Sequence, residues 1–240
     1  MRIFTLDIET SPHKGYAFNV WQNNMMPGQI IKPTQMLTWS GKFLGEKRIY
    51  FQTYRDAHSL TILHELMQGA DMIVTYNGDK FDIRHINREF IEAGLPPVRP
   101  FASMDLLKHV KKLFNFPHNR LDYVCSVLLD ESKLETGGFD LWPAFMKGDE
   151  KAGRTMKRYN IQDVKLTEKL YLFIRPWIKN HPFIGNAPAL LDSDLEYTCP
   201  SCGSSNVTRE RPRRTRCFAI RVVNCADCGH WFDGKRRKIC

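Results

Sequence analysis

The sequence lacks long hydrophobic runs, has little cysteine in most of its length, and is short of acid. No segment of the 240 residues approaches the roughly 18 apolar residues that a membrane-spanning helix needs, so no membrane partner is expected. The opening stretch from Met1 to Glu9 places acids where a secretory leader needs an unbroken apolar core, which argues against export and for a cytoplasmic location. There is no internal repeat and no low-complexity segment, which excludes solenoid and disordered architectures. Only Cys125 of the seven cysteines precedes residue 199, so no disulfide framework supports the body of the chain. Asp and Glu number 26 against 35 Lys and Arg, a formal charge of +9 that points to a polyanionic partner. What remains is ordinary globular chemistry, 42% hydrophobic and 25% charged, enough for one large domain and a small one.

Charge and cysteine are both unevenly placed. Residues 195–240 hold ten Lys and Arg against four Asp and Glu, so +6 of the +9 lies there, together with six of the seven cysteines. This composition shift divides the chain into a body over 1–180, a Pro- and Gly-broken linker over 181–195, and a C-terminal module over 196–240.

In the body, residues 2–6 are β-branched and aromatic and read as a strand ending at Asp7. Further strands are expected near 36–43, 47–53 and 71–76, and helices over 58–69, after the Asn77-Gly78 turn, over 105–114 and 120–129, and over about 149–178. Strands first, then strand–helix alternation, then helices describe an α/β fold with a mixed sheet covered by helices.

Three acidic patterns stand out. Asp7 and Glu9 share one face at the end of the first strand, because side chains alternate along a strand. Left alone they repel, and a cation between them removes the cost; the bland alternative is a solvated strand end. Asp82 falls in the first turn of the helix after Asn77-Gly78, where a carboxylate also compensates the helix dipole. Asp79 reads as the N-cap of that helix, and Phe81 as core. Tyr159 and Asp163, four apart, share one face of the long helix. Asp105 and Asp122 sit at helix starts and read as caps.

Taken in order, Asp-X-Glu after a first strand, Asn-X-X-X-Phe-Asp at a strand–helix turn and Tyr-X-X-X-Asp on a late helix resemble the three motifs of the DEDD proofreading exonucleases, in the subtype with Tyr in the third motif. The segments around Asp105-Leu-Leu and Leu121-Asp-Tyr-Val-Cys add to the likeness, which covers roughly residues 1–178. The stretch from Val20 to Leu44 is similar to small phage-encoded members, for which the location would be the host cytoplasm. The resemblance implies an RNase H-like fold and two Mg²⁺ or Mn²⁺ ions. It implies that Asp7, Glu9 and Asp163 hold one metal beside the attacking water and that Asp7 bridges to the second, near Asp82. Tyr159 would orient the water. A phenol of ordinary pKa near 10 is a poor base at neutral pH, so deprotonation falls to the metal. Thr10 and Asn77 are candidate contacts to the nucleotide strand, although an Asn-Gly turn alone accounts for Asn77.

In the C-terminal module, Cys199-X-X-Cys202 and Cys225-X-X-Cys228 form two knuckles separated by 22 residues, each followed by Gly. That spacing is a zinc-ribbon pattern holding one structural Zn²⁺, and Cys217 and Cys240 read as bystanders. Arg213, Arg214 and Arg216 lie in a basic run between the knuckles and suit phosphate contacts. Trp231 and Phe232 either stack on bases or cover the ribbon core.

The expected activity is a metal-dependent nuclease acting on DNA, with RNA open as a substrate. Exonuclease action from 3′ ends follows from the resemblance. Structure-selective cutting of flaps or four-way junctions is the alternative raised by the fused ribbon, and junction cutting would call for a homodimer. A nucleic-acid-binding protein with an inactive core is the rival of a different class.

Overall fold

The computed structural model describes residues 1–19, 21, 24–131, 138–182, 198–215 and 217–239. Two compact units are distinguished, Arg2–Glu168 and, with Met1, Lys169–Cys240. The division falls inside the long helix. Among the described residues no helix is long and apolar enough to cross a membrane.

The larger unit is built on a mixed sheet of β1 (Ile3–Thr10), β4 (Met36–Phe43), β5 (Tyr50–Thr53), β6 (Met72–Thr75) and β7 (Ala102–Asp105). The five strands lie in the order β5-β4-β1-β6-β7. Between β1 and β4 runs a small hairpin of β2 (Lys14–Gly15) and β3 (Ile30–Lys32). Strand β1 is central, antiparallel to β4 and parallel to β6, which is parallel to β7. Phe4, Leu6 and Ile8 share one face and are buried, and Ile3 and Thr5 on the opposite face are buried as well, so both faces of the first part of β1 are covered.

The helices are α1 (Ser59–Gln68), α2 (Asp82–Glu92), α3 (Leu106–Leu113), α4 (Leu121–Leu129), α5 (Leu141–Lys147) and α6 (Glu150–Ile174). Leu63 and Met67 of α1 and Ile86 and Phe90 of α2 fall four apart and pack with Phe4, Leu6, Trp39 and Ile73 into one core. Trp39 is fully buried and satisfies its indole by donating to the Ser59 hydroxyl at 2.9 Å. Leu37, Leu141, Phe145 and Met156 form a second cluster that seats α5 and the start of α6.

The mixed α/β fold and the positions of most elements agree with the expectation. The hairpin β2–β3, strand β7 and helix α5 were not foreseen; they are short and carry no clear periodicity. Phe81 is not core: it is 38% exposed, at the N-terminal boundary of α2, with its ring against His85.

One sequence detail is forced by packing. A Cβ on Gly41 would lie 2.2 Å from the Phe4 ring, which is itself fully buried against Phe43. Gly41→Ala is therefore expected to lower unfolding free energy by about 1–3 kcal/mol, read from the midpoint of a urea titration.

The smaller unit contains a three-stranded antiparallel sheet in the order β10-β9-β8, with β8 (Val207–Arg214), β9 (Phe218–Cys225) and β10 (Trp231–Lys238). Apart from Cys199 and Cys225, Val223 is the one buried apolar residue among the described positions 198–239. Of the expected linker, 183–195 lies outside the described residues, as does Cys240.

Candidate active site

The carboxylates meet at the C-terminal end of β1, where parallel-strand ends leave room for a ligand. Asp7 and Glu9 project from that end, and Asp163 reaches them from α6; one ligand oxygen from each lies within 4.8 Å of the others. The pairing of β1 with β4 shifts between Glu9 and Thr10, a bulge that bends the chain away directly after the acidic pair.

Asp82 plays a second part. It lies on the buried stripe of α2 with Ile86 and Phe90 and is only 4% exposed. Its Oδ1 accepts the Ile8 amide at 3.1 Å. Strand β6 pairs with β1 only over Ile3–Thr5, so Ile8 lies beyond the reach of that ladder and the carboxylate supplies an acceptor for its N–H. Asp82 thus lies at the backbone between Asp7 and Glu9, and dipole compensation at a solvated helix end does not describe it.

Two residues not foreseen hold the acidic pair. Asn160, fully buried on α6, donates its amide to Asp7 Oδ2 at 2.6 Å and to the Asp7 carbonyl at 3.2 Å. Its own oxygen accepts from the Thr38 hydroxyl at 3.1 Å, so three elements converge on one side chain. Trp142 on α5 donates its indole N–H to Glu9 Oε2 at 3.2 Å and stands edge-on to the Tyr159 ring, centroids 6.3 Å apart. Asn160 is a helix-interior amide and Trp142 an aromatic in a short segment, and neither carries a local signal in the sequence.

A cleft of about 300 Å³ opens beside the cluster, lined by Asp7, Tyr159, Tyr76, Asn77, Arg120 and Asp122 among others. Asn77 adopts a left-handed conformation, φ 71°, and its amide donates to Asp105 Oδ1 at 2.8 Å. Asp105 also caps α3 through the Leu107 amide. A Cβ on Gly78 would lie 2.2 Å from Thr75 Oγ1, so the turn that places Asn77 requires glycine. Thr10 stands half-buried just past the bulge and is not among the residues lining this cleft.

Two cap expectations are corrected. Asp79 does not cap α2; it accepts from Ser103 and forms an ion pair with Lys108. Burial raises its carboxyl, and the hydrogen bonds from Lys108 and Ser103 more than offset this and hold it below the usual range. Asp122 is not a cap either. It stands in the first turn of α4 with Arg120 Nε at 3.6 Å and lines the cleft. A further feature went unforeseen: ahead of Tyr159, α6 exposes Lys151, Arg154, Lys157 and Arg158 along a basic groove of about 400 Å³.

In the smaller unit the four cysteines close on one another. Cys199 Sγ is 3.7 Å from Cys228 Sγ, and Cys202 Sγ is 3.6 Å from Cys225 Sγ. A tetrahedron with metal–sulfur bonds of about 2.3 Å has edges of about 3.8 Å. The two knuckles have the same local folding. The Gly203 and Gly229 amides donate to the Cys199 and Cys225 carbonyls, with both glycines left-handed. Burial pushes the Cys199 thiol well up and the Cys202 thiol up to about 11, so the thiolate form needs a cation to stabilise it. Cys217 stands outside this group.

The candidate phosphate contacts fare differently. The guanidinium fork of Arg213 is taken up by both oxygens of Asp233, so a phosphate would have to displace an ion pair already formed. The Arg214 side chain and Arg216 lie outside the described residues. Trp231 is exposed, whereas Phe232 is half-buried and stacked on His230.

A profile of the RNase H superfamily matches residues 5–174. The chain belongs to that superfamily. A DNA polymerase of Thermococcus litoralis is 20% identical over 193 residues, 71% of this chain and 11% of the polymerase. The solved family B DNA polymerase of the hyperthermophilic archaeon Pyrobaculum calidifontis superposes with a TM-score of 0.56 at 19% identity, over 73% of this chain and 25% of its own. The chain thus spans a small part of either polymerase, and the structural likeness is one of fold. The superfamily match takes in Asp7, Glu9, Asp82, Tyr159 and Asp163 and leaves out the four-cysteine module.

Proposed function

We propose that this RNase H superfamily protein is a two-metal-ion nuclease that hydrolyses phosphodiester bonds in DNA, removing nucleotides from 3′ ends. The observation that carries the reading is the convergence of Asp7, Glu9 and Asp163 from the two ends of the catalytic region, with Asp82 bonded to the backbone between the first two. An all-oxygen donor set with mutual separations of this size suits Mg²⁺ or Mn²⁺. Asp7, Glu9, Asp82 and Asp163 would hold such ions, which supply an activated water and neutralise the leaving oxygen.

The chain's own groups do the rest. The Asn160 amide occupies one oxygen of Asp7, which turns the other toward the cluster. The Trp142 indole fixes Glu9 and backs the Tyr159 ring, so the phenol reaches the cleft in a set direction and orients the nucleophilic water. Asn77 on the cleft wall and Thr10 past the bulge contact the nucleotide strand.

In this reading residues 1–180 form the nuclease domain, 181–195 the linker and 196–240 a ribbon that holds one Zn²⁺ through Cys199, Cys202, Cys225 and Cys228. The ribbon's sulfur geometry fits that ion, and its exposed cationic strands suit duplex or branched DNA. That module favours one alternative, structure-selective cutting of flaps or four-way junctions with the same carboxylates; at a junction the enzyme would act as a dimer.

The test uses the full chain with Mg²⁺ or Mn²⁺ on 5′-labelled single strands, flaps, four-way junctions and closed circles. A one-nucleotide ladder receding from the 3′ end is expected. Nicked circles or paired cuts at a junction would replace this reading with the endonuclease. Asn160→Ala is expected to weaken Mn²⁺ binding about 10- to 100-fold in a calorimetric titration with zinc kept in place. An unchanged affinity would remove Asn160 from the site.

A further inference from the structure

Beyond Glu9 the chain does not return directly to the sheet. It runs out along β2 and back along β3, and the base of this hairpin is closely bonded. Ser11 exchanges hydrogen bonds with Gln35, its amide to the Gln35 carbonyl at 2.9 Å and its hydroxyl accepting the Gln35 amide at 3.0 Å. The Thr34 amide donates to His13 Nδ1 at 3.1 Å, and the Tyr16 amide to the Gln29 carbonyl at 2.9 Å. A Cβ on Gly15 would lie 2.3 Å from that same carbonyl oxygen, so the two arms are in direct backbone contact.

This bonded projection carries large rings into solvent. Tyr16 is 75% exposed, Phe18 95% and Trp21 85%. Single exposed aromatics are ordinary, but three within six residues of one projection are more bare apolar surface than a monomeric protein commonly shows without use. The charge around them has one sign. Residues 11–45 contain no Asp or Glu, and Lys14 and Lys32, both exposed, are paired across the hairpin. Flat apolar faces combined with cations and no acid match a ligand that has flat faces and negative charge. A protein partner would find no acid here to pair with its own cations. Position adds to this. Tyr16 follows Glu9 by seven residues, so it stands no more than about 25 Å from the carboxylates.

We propose that the β2–β3 hairpin is a single-strand guide: Phe18 and Trp21, with Tyr16, stack on unpaired bases of the strand that enters the carboxylate site, and Lys14 and Lys32 contact its phosphates. The inference rests on the nuclease reading for which strand is held.

The experiment compares the full-length protein with its Phe18→Ala/Trp21→Ala variant in buffer free of Mg²⁺ and Mn²⁺. The probes are a labelled oligothymidylate, an abasic strand of equal length, and single strands carrying 2-aminopurine. The variant is expected to bind oligothymidylate about tenfold or more weakly, to bind the abasic strand as the parent does, and to lose 2-aminopurine quenching; Phe18→Tyr/Trp21→Tyr restores most of both signals. Equal affinity for oligothymidylate overturns the proposal, and so does an equal loss on the abasic strand, which would mean that no base is stacked. Self-association of the parent that the variant abolishes, with strand binding unchanged, assigns the rings to a protein interface and overturns it too. Hydrolysis is then read after Mn²⁺ is added to the same mixtures. Hydrolysis by the parent with no quenching change in the variant removes the hairpin's role alone. Stacking in the metal-free buffer with no hydrolysis by the parent after Mn²⁺ is added removes the nuclease reading alone.

Discussion

Asp163→Asn is expected to abolish hydrolysis, lowering its rate by about a thousandfold or more, while making the metal-free protein no less stable. The first half follows from the proposed metal-binding role. Losing a ligand from a cation that neutralises transition-state charge forfeits several kcal/mol, and each 1.36 kcal/mol is a factor of ten. The second half follows from electrostatics. Asp7, Glu9 and Asp163 offer oxygens within 4.8 Å of one another. Without a cation, like charges about 4 Å apart cost between about 1 kcal/mol in water and about 4 kcal/mol at an effective dielectric near 20. Removing one charge relieves that repulsion. The parent is therefore expected to gain thermal stability when Mn²⁺ is added and the variant to gain much less, by ligand linkage. The check is a paired measurement: rate on a 5′-labelled single strand, and melting temperature with and without Mn²⁺. Retained activity would remove Asp163 from the site. A variant that melts well below the metal-free parent would show that the carboxylate is held for packing rather than for a cation.

The second large effect concerns the cysteines. Cys225→Ser is expected to release the zinc and unfold residues 198–239 with it. Apart from Cys199 and Cys225, Val223 is the one buried apolar residue among the described positions there, and so small a segment rarely folds without a staple. Structural zinc contributes about 10–16 kcal/mol in small ribbons and fingers, far more than such a core supplies. Elemental analysis should find one zinc per parent chain and none in the variant. Amide hydrogen exchange should show protection of β8, β9 and β10 lost in the variant and in the parent after strong chelation, and restored in the parent by added zinc. Protection that survives chelation with no zinc present would sink the metal assignment. The superfamily match ends at residue 174, and the support for zinc in this module is its own sulfur geometry.

The sequence carried the site's acids because each rests on a short-range rule. Alternation puts Asp7 and Glu9 on one face of β1; helical periodicity puts Tyr159 and Asp163 on one face of α6; the Asn77-Gly78 turn announces the start of the helix that holds Asp82. Paired knuckles likewise need only local spacing to declare a four-thiol centre. Where two local rules competed, the reading failed. Asp79 and Asp122 both look like caps, yet Asp79 is claimed by Lys108 and Ser103, residues 29 and 24 positions away. Phe81 has the composition of core and the position of a solvent-facing helix start. Arg213 looks like a phosphate contact until Asp233, on another strand, takes its fork.

By itself, then, the sequence determined the α/β class, the order of the main elements, the acidic set and the cysteine set, since all of these follow from periodicities of two and near four or from fixed short spacings. Only the tertiary structure decided what holds them. The Asn160 bond to Asp7 joins residues 153 apart and the Trp142 bond to Glu9 joins residues 133 apart. The Ile8 amide needs Asp82 because a neighbouring strand stops short of it. The exposure of Tyr16, Phe18 and Trp21 on the β2–β3 projection is likewise a property of the folded chain. Hydrogen bonds and burial of this kind depend on which surfaces the folded chain brings face to face, and no periodicity along the chain encodes that.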